Sequence, residues 1–181
     1  MFSRHEESTG ALQTTMNDAF RLLDDPTRLS THLTSRSWKL GWGRMTTIVD
    51  EQWGRVVSSH VVRRGRAFGM LFFLDEVVAE REMPRRKVWE TVGEPRLLVI
   101  GPYRMGFEMA PSDSGVLLHV SIDYDLPSHG ISRLLGYLLG RVYAKWCTRE
   151  MLLEAKALLA LPRRSVSWSA RHHPPMRQVP I

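Results

Sequence analysis

Apolar and polar residues alternate along residues 116–126. Val116, Leu118, Val120, Ile122, Tyr124 and Leu126 fall on one side; Leu117, His119, Ser121, Asp123 and Asp125 fall on the other. A period of two predicts a strand in a sheet with one wet face. Residues 97–109 carry the same phase through Leu97, Val99, Tyr103, Met105, Phe107 and Met109. Upstream, residues 45–49, 56–63, 68–80 and 87–92 are rich in β-branched and apolar residues and read as four more strands. Residues 51–54, 64–66 (Arg-Gly-Arg), 83–85, 93–95 and 112–115 supply the turns between them. Six strands joined by short turns form an antiparallel meander. A weaker signal at residues 8–14 predicts a short first strand.

Helical spacing appears twice. Thr15 followed by Asp18 is a capping-box-like start, and Ala19, Phe20, Leu22 and Leu23 continue it as a short helix. Asp25 can cap again, with Pro26 at a first helical position where no amide donor is needed, so residues 27–33 predict a second short helix. After Pro127, residues 131–160 predict one long helix whose apolar stripe is Leu134, Leu135, Leu138, Val142, Trp146, Leu152 and Leu153. At ~1.5 Å per residue it reaches roughly 45 Å, enough to lie across a sheet. Pro162 ends it.

The stretches Asn-Asp-Ala-Phe-Arg-Leu-Leu-Asp-Asp-Pro at 17–26, Glu76-Val77-Val78, Lys87-Val88-Trp89-Glu90-Thr91 and Ile122-Asp123-Tyr124-Asp125-Leu126-Pro127 carry a family resemblance. Over residues 8–160 the chain resembles the SRPBCC superfamily, which includes START-like lipid carriers, pollen-allergen-like proteins and polyketide cyclase/dehydrases. The resemblance implies an α+β helix-grip fold. About seven antiparallel strands curve around the long C-terminal helix, two short helices follow the first strand, and a ligand cavity lies between sheet and helix. Members bind lipids, sterols, polyketides or other apolar molecules, and some are enzymes.

The 181 residues suit one domain, expected over 1–161, with residues 162–181 as a basic, Pro-rich, disordered tail. The formal net charge is +6; the tail's Arg163, Arg164, Arg171 and Arg177 account for +4, which leaves the body at 21 basic against 19 acidic residues. So near-even a body predicts no specific nucleic-acid partner, while the tail could make weak contact with anionic surfaces. A single cysteine, Cys147, excludes a disulfide scaffold. No apolar run reaches the ~18 residues of a membrane span, and a charged N-terminus does not read as a signal peptide, so a cytoplasmic protein is expected. Oligomeric state is not legible.

Aromatic residues on the inner face are the candidate ligand contacts: Trp89, Tyr103, Phe107 and Tyr124 on the sheet, Tyr143 and Trp146 on the long helix. Aromatic walls with a few polar tips suit an apolar, ring-containing ligand, although each could equally be core packing. His60 lies on a strand with two apolar faces and could point inward as a base or hydrogen-bond donor, or outward to solvent. Asp75 is in phase with Leu71, Phe73 and Val77, which would make it a single buried acid, while the opposite phase buries Glu76 and Glu80 instead; alternatively Asp75 marks a bulge or an outer-face position. An inward His60–Asp75 pair would be a proton-transfer site. His119 belongs to the wet face, and His32 could sit at the cavity mouth or on the surface. His172 and His173 are adjacent in the tail and lack fixed ligand geometry. Cys147 reads as a small buried hydrophobe. Gly101 and Gly106 read as bends that curve the sheet. No metal or cofactor is expected. Two functions follow: binding of a small hydrophobic or amphipathic ligand, or a polyketide cyclase/dehydrase-like reaction in the same pocket.

Overall fold

The structure, a computed structural model, describes residues 2–26, 42–67 and 70–160. Its elements run β1 (Arg4–Leu12), α1 (Met16–Leu23), β2 (Trp42–Val49), β3 (His60–Ala67), β4 (Met70–Glu82), β5 (Arg86–Thr91), β6 (Tyr103–Ser112), β7 (Gly115–Tyr124) and α2 (Gly130–Ala160). The strands form one antiparallel sheet in the order β1-β7-β6-β5-β4-β3-β2. Chain order from β2 to β7 is therefore a meander, and β1 returns to pair with β7 from Arg4↔Tyr124 to Leu12↔Val116. Register shifts between Trp42 and Met45 and between Val78 and Glu80 add local twist. Gly106 permits a tight strand contact, since a Cβ there would lie 2.7 Å from the Lys87 carbonyl oxygen. This is the helix-grip arrangement expected from the sequence.

The alternation in β7 carries through to burial: Val116, Leu118, Val120, Ile122 and Tyr124 are each 1% exposed or less. Strand limits elsewhere differ. Arg64, Gly65 and Arg66 are not a turn; they pair within β3 against Phe73, Phe72 and Leu71. Residues 56–59 precede β3, because Asp50 organises this connection. Its carboxylate accepts hydrogen bonds from the backbone N–H groups of Gln52 (3.1 Å), Gly54 (3.4 Å) and His60 (2.8 Å) and from the Ser59 hydroxyl (2.6 Å). β6 starts at Tyr103, not Leu97; Gly101 N–H donates to the Asp125 carbonyl at 2.8 Å and turns the chain into it. The predicted helix at 27–33, with His32, and the tail at 162–181 lie outside the described residues.

α1 is capped as expected, with Asp18 N–H donating to the Thr15 hydroxyl at 3.2 Å. α2 forms over the expected span, but its inward face differs from the leucine stripe read from sequence. Gly136, Gly140, Ala144, Thr148, Met151, Leu152 and Ala155 are buried. A Cβ on Gly136 or Gly140 would come 2.9 or 3.0 Å from the Val99 carbonyl oxygen. The helix lies so close to the chain beneath it that only small residues fit, and Leu134, Leu138 and Val142 turn to solvent. Farther along, Met151, Leu152 and Ala155 join Phe20, Leu23, Phe107, Met109, Val116 and Leu118 in the main apolar core.

Candidate functional site

The side chains of β3, β4 and β5 that face inward are Val61, Arg63, Leu74, Glu76, Val78, Lys87 and Trp89. They bring charge into the sheet's concave face. Glu76 is 3% exposed and Lys87 is 4% exposed. Arg63 forms an ion pair with Glu76. The Tyr103 hydroxyl donates to the other carboxylate oxygen of Glu76. Both oxygens of the buried acid are thus satisfied, as burial of a carboxylate requires. The Arg63 guanidinium is not: its Nε is buried and has no hydrogen-bond partner. Burial draws the Arg63 pKa below its ordinary value, and burial lifts the Tyr103 phenol well above its own, with Arg63 opposing. At neutral pH the arginine remains a cation and the tyrosine a neutral hydroxyl.

A second ionic group lies beside it. Lys87 Nζ donates to Asp24 Oδ1 (2.8 Å), the Asp24 carbonyl (2.8 Å) and the Gly54 carbonyl (2.7 Å), which uses all three of its protons. Arg81 grips the same carboxylate through Nε to Oδ1 (3.1 Å) and Nη2 to Oδ2 (2.9 Å). Burial alone would raise the Asp24 pKa, but the hydrogen bonds from Arg81 and Lys87 outweigh it and hold the carboxyl below its usual value. This group ties the end of α1 to the sheet. The Arg63 group, by contrast, has a donor left over.

Between the two groups lies a cavity of about 40 Å³, lined by Leu23, Gly54, Val61, Arg63, Glu76 and Trp89 among others. It admits a few waters, whereas a ligand of several hundred daltons needs roughly 300 Å³ or more. The ligand cavity expected between sheet and long helix is thus a narrow one here, and no residue of α2 lines it. Its Gly54 wall belongs to the connection held by Asp50, where Trp53 adopts φ 56° and Trp53, Val56 and Val57 stand about half exposed. The positive φ of Trp53 is held in place by its surroundings: Gly54 N–H donates to Asp50 and the Gly54 carbonyl accepts from Lys87.

The sequence-derived candidates divide. Trp89 lines the cavity and Tyr103 reaches its acid. Tyr143 packs on Trp146 with ring centroids 5.8 Å apart and against the cluster containing Tyr103, Tyr124 and Ala144. Phe107 is core, edge-on to Phe20 at 5.6 Å and to Trp89 at 6.5 Å. Tyr124 is fully buried and sits under Gly140. Burial lifts the Cys147 thiol to about 12, which makes it unreactive. His119 is on the outer face, bonded to the Thr9 hydroxyl at 2.9 Å.

His60 and Asp75 do meet, with Nδ1 3.0 Å from Oδ1, but on the outer face. The reason is strand phase. Leu74, Glu76 and Val78 point inward, and Leu71 is 70% exposed. The phase that buries Glu76 wins because Arg63 on β3 and Tyr103 on β6 supply its partners. The inward reading of Asp75 fails for that reason and its outer-face alternative holds, while Glu80 escapes burial by the register shift after Val78. Arg63, Lys87, Asp24 and Arg81 were not singled out from sequence. For Arg63, Lys87 and Arg81 a basic residue inside a strand is the signal, which reads equally as a wet-face residue; Asp24, at the end of α1, carries none. Among the described residues no group of three or more His, Cys, Asp or Glu is placed to hold a metal, and no helix is long and apolar enough to cross a membrane.

No family model and no curated protein matches the chain. Solved structures do. A protein from Thermus thermophilus superimposes with a TM-score of 0.60 at 13% identity, over 86% of this chain and 97% of that one. Ginseng major latex-like protein 151 from Panax ginseng gives 0.56 at 13%, over 90% and 100%. The di-domain ARO/CYC StfQ from the steffimycin biosynthetic pathway gives 0.55 at 16%, over 84% of this chain and 49% of that one. These likenesses establish the helix-grip fold that the resemblance to the SRPBCC superfamily implied.

Proposed function

We propose that the protein binds a small amphipathic ligand between β3–β5 and the end of α1 with the Gly54 connection, with the ligand's polar end on Arg63 and its apolar part against Val61 and Trp89. The observation that carries this reading is the buried Arg63 Nε, a charged donor without a partner in the wall of a mostly apolar cavity. Leaving such a group unsatisfied costs about 1–3 kcal/mol, which a ligand oxygen would recover. Occupancy by a ligand larger than a few waters requires the Gly54 wall to move outward, away from the Lys87 ammonium that its carbonyl now accepts from.

The fold shared with StfQ supports a second reading, in which the cavity orients a reactive chain. Its proton donor would be Tyr103, whose hydroxyl is already held on Glu76. His60 and Asp75, on the outer face, do not serve it.

Native mass spectrometry of the purified protein tests the binding reading. We expect an extra mass of a few hundred daltons, released on denaturation. We also expect one-to-one binding of the fluorescent probe 1-anilinonaphthalene-8-sulfonate. Val61→Phe, which fills the cavity, should abolish both while the circular dichroism spectrum is unchanged. Bare protein that also ignores the probe would sink the reading.

A further inference from the structure

The helix face that the sequence marks as apolar does not face the sheet. Ile131, Leu134, Leu138 and Val142 follow one another at spacings of three and four, and they are 77, 62, 62 and 67% exposed. They make one stripe along the first half of α2, on the side away from the core. Isolated exposed aliphatic residues are ordinary, but four in register on a rigid helix are not.

The charge around them has one sign. From Gly130 to Arg149 the helix contains Arg133, Arg141, Lys145 and Arg149 and no acid. Lys145 and Arg149 continue the stripe by the same spacing, at 14 and 18 residues from Ile131. Arg133, Lys145 and Arg149 form no ion pair among the described residues, while Arg141 donates to Glu6 at 2.8 Å and remains exposed.

We propose that this half of α2 is a docking face for an anionic lipid bilayer, lying flat with Ile131, Leu134, Leu138 and Val142 in the acyl boundary and Lys145 and Arg149 among the head groups. Charge selects this occupant over a second copy of the chain, because two such faces brought together would oppose like charges. Shape selects it over an acidic protein. The stripe is convex and aliphatic, with no cleft for a partner's anchor residue, which suits an interfacial helix. The proposal does not depend on the ligand reading, since no residue of α2 lines the cavity.

The test is co-sedimentation of the full chain with vesicles of phosphatidylcholine alone or with 30% phosphatidylglycerol, at 0.1 M salt. Binding is expected to the mixed vesicles, at least tenfold tighter than to phosphatidylcholine alone. Leu134→Ser with Leu138→Ser should weaken it about tenfold or more, since both side chains leave the acyl boundary. Lys145→Gln and Arg149→Gln should each weaken it about fivefold. These positions are exposed, so folding should survive, as an unchanged melting temperature would show. Three results overturn the proposal. One is equal or absent binding to both vesicle types. A second is full binding by the leucine double variant together with its loss in a chain carrying Arg163→Gln, Arg164→Gln, Arg171→Gln and Arg177→Gln, which would give the role to the tail. The third is a dimer in light scattering that the leucine substitutions dissociate, which would make the face an interface between copies.

Discussion

On β7 and β6, toward one end of the sheet, the inner face is closed by carbon. Phe107, Met109, Leu118 and Val120 meet α1 and the later turns of α2 with at most 1% exposure. At the β3–β4–β5 end the same face is closed by ions, with Asp24, Arg81 and Lys87 in one group and Arg63, Glu76 and Tyr103 in the other. The two ends touch where Arg81 lies 5.3 Å over the ring of Phe20. Non-directional packing fills the first end completely. Hydrogen-bond geometry governs the second, and it leaves both a cavity and an unused donor. The end with directional requirements is therefore the one that can recognise something.

Truncation should separate the two ends by how they can be repaired. Phe107→Ala should have the largest effect, about 4 kcal/mol in urea unfolding, because a fully packed ring leaves a cavity. Asp24→Ala should follow at about 3 kcal/mol, because it strands Lys87 without its counter-charge. The difference lies in the second step. Asp24→Leu combined with Lys87→Met should recover most of that loss, since ion pairs can be replaced by apolar residues of similar size. No single further substitution should recover Phe107→Ala. If the double variant is as unstable as Asp24→Ala, then the ionic end is not an independent unit and the contrast fails.

The apolar end was the legible one. β7 could be read residue by residue because its two faces differ in polarity. β1 gave only a weak signal for the opposite reason: its inward side is polar or small. Glu6 accepts from Arg141, the Ser8 hydroxyl meets Thr148 at 2.9 Å, and Gly10 leaves space for Leu152. α2 misled more directly. Its leucines suggested a core face, and Leu152 does enter the core, but at Gly136 and Gly140 the backbone approaches Val99 too closely for a leucine, so Leu134 and Leu138 turn outward. In β4, both phases placed an acid inside. Only the partners on β3 and β6, far away in sequence, decide for Glu76 over Asp75, and no local pattern contains them.

The smallest effect expected concerns pH, and it also divides by region. On α2, burial and then the neighbouring Glu150 raise the Glu154 pKa from 4.5 to about 7. The folded chain then holds this proton between pH 4.5 and 7 while the unfolded chain releases it. Stability should therefore fall as pH rises through that window, by about 1 kcal/mol once solvent screening of a half-buried group is allowed for. Asp24 acts in the reverse sense. Its carboxyl is held below 3.8, so its contribution is complete above that value and is lost only as pH falls beneath it. Thermal melts from about pH 3 to 8 should show Glu154→Gln flattening the upper window alone and Asp24→Leu with Lys87→Met flattening the acid limb alone. If Glu154→Gln also flattened the acid limb, the two regions would be coupled through α2, and the ionic end could not open for a ligand without loosening the apolar one.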